Sequence, residues 1–209
     1  LSGPIPDHSS INRPLNFDFN SSRIDLSNNQ LSGAIPAAIG SHWYTIRLDN
    51  NKLTSSLPSN GAQWNCRVFS AGFNQLTGTL PSALMTIREL RLDYNRLHGN
   101  LPPIGWNTAI VSLSNNAFSG TLDSLQLSAV KNSLQSLEIS HNLLTGTLPV
   151  SFINELAVNL LDLSQNQLVG EVNGFYGMPS TGVLILSHNN FTSMGSPFPM
   201  QYVDLSHNQ

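Results

Sequence analysis

Six residues in the first half of this 209-residue chain have the types and spacing of a recognition surface: Arg47, Asp49, Phe73, Arg91, Asp93 and Tyr94. With Arg23, Asp25 and Glu89 they set opposite charges in alternation. Two readings follow. The charges pair with one another on a solvated face, where such pairs contribute little. Or they form a polar strip for a charged peptide or glycan. Phe73 and Tyr94, with Val68 and Ile110 nearby, add aromatic surface between the charges, and that mixture is the usual anatomy of a binding hot spot. The plainer alternative is that Phe73 packs locally, because Gly72 beside it leaves room. A second, apolar group comes late: Leu160, Val183, Ile185 and Tyr202. Exposed apolar patches mark partner surfaces, unless further coils or another chain cover them.

Other chemistry is thin. His141, His188 and His207 each stand one position before a recurring asparagine. Two imidazoles can hold a metal, but neither a cysteine nor a carboxylate sits clearly beside them, so no metal and no cofactor is assigned. A pH-sensitive surface or plain polar filler are the remaining readings. The chain has no phosphate-binding glycine loop and no zinc-type His–Glu–His spacing, nor a nucleophile elbow. The expectation is binding, not catalysis.

What must position these residues is a period. It is anchored on Asn29, Asn51, Asn74, Asn95, Asn116, Asn142, Asn166, Asn189 and Asn208, whose numbers differ by 22, 23, 21, 21, 26, 24, 23 and 19. Apolar residues stand five and three positions before each anchor, and Leu or Phe usually two after. Such alternation is a short strand with one buried face. One strand of this kind cannot bury its face alone, but a stack can. The asparagine carries donors and an acceptor on one short side chain, so it can satisfy the turn that follows each strand and tie it to the next coil. Residues six, four, two and one before the anchor then point away from the core. The position two before it is mostly Ser, Asp or Gly and is expected to leave a groove.

After the anchor come LSGAIP (31–36), LTGTLP (76–81), LHGNLP (97–102) and LTGTLP (144–149), with degraded copies at 53–58, 118–123 and 168–173. Glycine gives the turn its freedom and proline redirects the chain. These segments resemble the plant-type class of leucine-rich-repeat proteins, and GTLP is similar also to surface repeats of protozoa. The resemblance implies an α/β repeat solenoid. It would be a right-handed superhelix with a parallel sheet on the concave face and loops and short helical turns on the convex face. It also implies an extracellular or cell-surface module that binds a protein, peptide or glycan. A structural repeat of a surface adhesin or cell-coat assembly, with possible self-association, is one alternative. An inhibitor of a secreted hydrolase is another.

Residues 1–209 read as one domain of about nine coils. The chain opens in the second half of a repeat and stops in mid-repeat, so it is expected to be a section of a longer protein with both caps missing. Charged residues are only 10% and the net charge is −3, which argues against nucleic acid. No apolar run in this segment reaches the length of a membrane span. The single cysteine, Cys66, is expected to be a small core residue. Asn20 and Asn190 fit the glycosylation pattern. Residues 7–22 read as an inserted loop, which leaves Asn20 exposed. Asp123 is expected to cap a short helix in 123–133 with Leu125, Leu127 and Val130 facing the core.

Overall fold

A computed structural model describes residues 1–7, 18–59, 64–127, 133–149, 156–173, 178–179, 182–195 and 200–209. The strands of the repeat stack in chain order into one nine-stranded parallel sheet: Arg23–Asp25, Thr45–Arg47, Val68–Ser70, Glu89–Arg91, Ile110–Ser112, Ser136–Glu138, Leu160–Asp162, Val183–Ile185 and Tyr202–Asp204. Equivalent positions face one another without slip. Ile46 pairs Phe69, Phe69 pairs Leu90, Leu90 pairs Val111, Val111 pairs Leu137, and the row continues through Leu161 and Leu184 to Val203. All but the last are fully buried, and they join one continuous apolar core. Cys66 lies in that core, where burial pushes its thiol up to about 12, so it is a packing residue and not a nucleophile.

The asparagines form the expected ladder. Asn95 donates to the carbonyls of Leu92 and Asp93 in its own turn, at 3.1 and 3.2 Å, and to Ala71 of the preceding coil at 3.0 Å. Its Oδ1 accepts the Leu76 N–H at 3.0 Å. Asn51, Asn74, Asn116, Asn142, Asn166, Asn189 and Asn208 repeat the pattern, and each accepts one backbone N–H of the preceding coil. The turn that aims the asparagine inward puts the residue before it in the left-handed region, at φ between 51° and 59° in every coil from Asn28 to His207.

The segment after the anchor departs from expectation. It is not a turn but a second set of parallel strands. Gln30–Gly33 and Lys52–Leu53 pair in a first group with Ser2–Pro4. Thr77–Gly78, Arg96–Asn100, Ala117–Thr121, Leu143–Gly146, Gln167–Val172 and Asn190–Met194 form a second, with a bridge from Ser56 to Thr77 between the groups. Here the register slips by two residues per coil: Thr121 faces Thr145, and Thr145 faces Gln167. Short helical pieces carry the chain back, at Ile39–His42, Ser82–Thr86 and Leu122–Leu125. Leu125 and Leu127 are buried as expected. Asp123 is not a cap, however. It sits inside a 3-10 turn with its carbonyl accepting the Gln126 N–H, and Thr121 precedes the turn without a side-chain cap. Val130 lies outside the described residues, as does most of the inserted loop at 7–22.

Removing the Asn95 side chain strands the Leu76 N–H and weakens three carbonyls at once. Asn95→Ala is expected to lower stability by about 1–3 kcal/mol, the cost of unsatisfied buried polar groups. A urea or thermal melt superimposable on wild type would refute the structural role of the ladder.

Candidate functional site

The repeat brings five of the six predicted recognition residues to one place. A groove of about 460 Å³ on the concave sheet is lined by Arg47, Asp49, Phe73, Arg91 and Asp93, together with Asp25, Asn28, Asn50 and Glu89. Tyr94, the sixth, stacks on Phe73 with ring centroids 4.3 Å apart and planes 15° off parallel. Both rings stay about half exposed, at 51% and 50%. They therefore do not fill a local gap. Each covers one face of the other, so the pair presents edges and outer faces to the groove rather than one broad plate.

The charges do not all pair with each other. Arg91 Nε meets Glu89 at 2.9 Å. The aspartates instead bind hydroxyls and backbone amides. Asp49 accepts from Ser70 Oγ at 2.6 Å and from the Gly72 N–H at 2.9 Å. Asp93 does the same one coil later, accepting from Ser112 Oγ at 2.6 Å and the Ser114 N–H at 3.0 Å. Asp25 accepts the Ser27 N–H of its own turn at 3.0 Å. Hydrogen bonds from Ser27 hold the Asp25 carboxyl below its usual range, and the Arg47 charge adds to this. Burial pushes the Asp93 carboxyl up, although its two serine partners and Arg91 pull the other way. Asp49 and Asp93 are thus staples between coils, while the Arg47 guanidinium stands exposed on the groove wall.

The small, polar column two before each anchor was expected to leave a groove, and Ser27, Asp49, Gly72 and Asp93 of that column line the one found. Further along, neighbouring coils close on the column, and Ser140 Oγ donates to Ser114 Oγ at 3.0 Å. This column is the floor of the groove and not its opening. Asn28 and Asn50, on the left-handed ridge, were missed as lining residues. Their signal was present, because they occupy the same column as Phe73 and Tyr94.

Elsewhere, Leu160, Val183 and Tyr202 stand in one paired row, with Ile185 one row over beside Asp162 and Asp204. Tyr202 is exposed and the other three are half-buried. His188 and His207 stack with centroids 4.1 Å apart, and among the described residues no group of three or more ligating side chains gathers for a metal. Asn20 is exposed in a short 3-10 turn, and Asn190 is exposed on the second set of strands.

Known proteins match this geometry. The sequence model of the Leucine Rich Repeat family matches residues 20–42 and 133–154. Receptor-like protein 35 of Arabidopsis thaliana is 34% identical over 206 residues, an alignment covering 88% of this chain and 21% of that protein. The chain is a leucine-rich-repeat protein of the plant type. It spans about a fifth of the length of the curated relatives it matches. Among solved structures, the ectodomain of the Arabidopsis receptor kinase HAESA, in complex with the peptide hormone IDA and the co-receptor SERK1, matches with 25% identity and a TM-score of 0.77. That match covers all of this chain and 36% of the crystallised chain. A plant ice-binding protein matches with 26% identity and a TM-score of 0.64, over 82% of this chain and 55% of that one. No helix among the described residues is long and apolar enough to cross a membrane.

The Asp93 environment gives a signed pH dependence for this leucine-rich-repeat chain. A carboxyl raised in the folded state holds its proton longer there than in the unfolded chain. It therefore subtracts stability as pH rises from its ordinary value of 3.8 through the raised one. Asp93→Asn removes that loss. The stability of the variant relative to wild type should grow with pH across this window in urea melts, and a constant or shrinking difference would contradict the assignment.

Proposed function

We propose that this segment is an extracellular recognition module that binds an extended peptide, or a protein presenting one, in the concave groove across the Asn29 to Asn95 coils. The observation that carries the reading is convergence. An exposed guanidinium at Arg47 and the stacked Phe73–Tyr94 pair flank one polar groove. Beneath them the carboxylates are already held by serines, so the floor is rigid and its polar groups are satisfied. Phe73 and Tyr94 also keep left-handed backbones, at φ 53° each, a conformation that is an outlier for bulky residues and points to a use for the side chain. The likeness to a receptor kinase ectodomain crystallised with a peptide hormone supports a peptide over a small molecule. So does the open shape of the groove, since small ligands prefer enclosed pockets.

The test is selection of a displayed random-peptide library on the immobilised chain, followed by titration of the selected peptides. Phe73→Ala and Arg47→Glu are each expected to weaken binding tenfold or more, about 1.4 kcal/mol, while leaving the melt within a degree or two. Selected peptides indifferent to both changes would place recognition elsewhere.

A second reading is favoured by a different surface. The second set of strands and the residues just past them carry ranks of hydroxyls with few charges: Thr77, Thr79, Thr121, Thr145 and Thr147 are exposed and Ser119 is half-buried. A face of this kind suits ordered water, and one structural neighbour is a plant ice-binding protein. On this reading the chain, labelled with a fluorophore, becomes concentrated in slowly growing ice, where a labelled control protein of similar size is excluded. Exclusion equal to the control would rule it out.

A further inference from the structure

We propose that the glycines of the second set of strands are positioning residues, which fix the threonines beside them into one repeated orientation and so make that face an ice-binding surface. This rests on the second reading above. It adds which residues form the face and what orders them.

The threonines that follow Gly78, Gly120 and Gly146 lie over the glycine of the next coil, and Asn100 takes that place after Gly99. A Cβ on Gly99 would stand 3.0 Å from Thr79 Cγ2, one on Gly146 would stand 3.0 Å from Thr121 Cγ2, and one on Gly170 would stand 3.0 Å from Thr147 Cγ2. The same contact at the same distance in three coils means the same rotamer in three coils. Each methyl fills the notch left by a missing Cβ, so each hydroxyl points the same way. The other rank is tied back to the neighbouring coil: Thr145 Oγ1 donates to the Gly120 carbonyl at 3.4 Å, and Thr192 Oγ1 to the Gly170 carbonyl at 3.2 Å. Gly146 and Gly170 also hold φ of 84° and 92°, which a side chain would strain. One glycine thus serves both its own backbone and the threonine of the coil before it.

The result is a two-rank array with coils spaced about 4.8 Å apart, in which Thr79, Thr121 and Thr147 hold their methyls and hydroxyls in one repeated orientation. A flexible or irregular ligand gains nothing from that regularity. A lattice of water does, since it offers a donor or acceptor at every repeat and can close around each methyl. Charge is sparse where the array is most regular. The Asn116 and Asn142 coils present Ala117, Ser119, Thr121, Leu143, Thr145 and Thr147. His98 on one side and Glu171 on the other interrupt the pattern.

The experiment measures partition into slowly growing ice, and thermal hysteresis, for the chain and four variants, each checked by circular dichroism and melting. Thr121→Tyr and Thr147→Tyr place bulk on the array. Gly146→Ala keeps every hydroxyl but puts a methyl 3.0 Å from Thr121 Cγ2, where it crowds that rotamer. Phe73→Ala changes the concave face only. The expected result is at least a tenfold drop in ice partition for the first three and none for Phe73→Ala. If wild type enters ice and the three variants enter equally well, the face and its glycines are wrongly assigned while ice binding stands. If wild type is excluded, ice binding itself falls. Should Gly146→Ala melt early, the two tyrosine variants decide the face. Wild-type hysteresis retained by Gly146→Ala with an unchanged melt would remove the positioning role.

Discussion

One side chain per coil holds this structure to its form. The asparagine at the end of each concave strand bonds carbonyls of its own turn, a carbonyl of the coil before it and one N–H of that coil's second strand. It must point inward to do so, and the backbone reaches that geometry only by placing the preceding residue at positive φ. A left-handed conformation costs a residue with a Cβ about 1–2 kcal/mol. The ladder is therefore bought with strain at a fixed column, and everything on the exposed ridge follows from how each coil meets that cost.

Asn28, Asn50 and Asn115 meet it with the residue type that tolerates the conformation best. Phe73, Tyr94, His141, Gln165, His188 and His207 do not. Four of these exceptions come as two stacked pairs, Phe73 on Tyr94 and His188 on His207. An aromatic pair contributes about 0.5–1.5 kcal/mol beyond its burial, which offsets part of the strain but not all of it for two residues. The remainder is a cost that packing does not explain. For Phe73 and Tyr94 the adjoining groove supplies a reason.

The ladder and the core row were legible in the sequence because both recur in one register in every coil, the first as asparagine and the second as an apolar side chain. Charge was legible only as position. Asp49 and Asp93 were visible beside arginines, but their partners, Ser70 and Ser112, lie a coil away and two positions earlier in the repeat. Nothing in the local sequence favours those partners over a guanidinium. The second strands were hidden by their own glycines. In LTGTLP the alternation Leu76, Gly78, Leu80 has the period of a strand, yet glycine and proline read as punctuation. Gly78 is there at φ 82°, with the Ser56 side chain across it. It is a strand position that must lack a Cβ, and a propensity argument cannot tell that from a turn.

The same period makes two surfaces of opposite character. On the concave sheet equivalent residues face one another directly, so Asp49 and Asp93 each reach the backbone N–H of their own column in the next coil and the serine hydroxyl two positions earlier, and Asp and Ser lock together across coils. On the second sheet the register slips by two, so Thr121 faces Thr145 across the coils while its methyl lies diagonally against Gly146. Pairing between coils is then carried mainly by backbone, with hydroxyls such as Thr145 and Thr192 tied to carbonyls of the neighbouring coil, and the outward side chains otherwise face water. A sheet whose side chains interlock can hold a specific partner in a groove. A sheet whose side chains only repeat can recognise something that repeats as well. That difference follows from a slip of two residues per coil, and it allows changes on one face to leave the other intact.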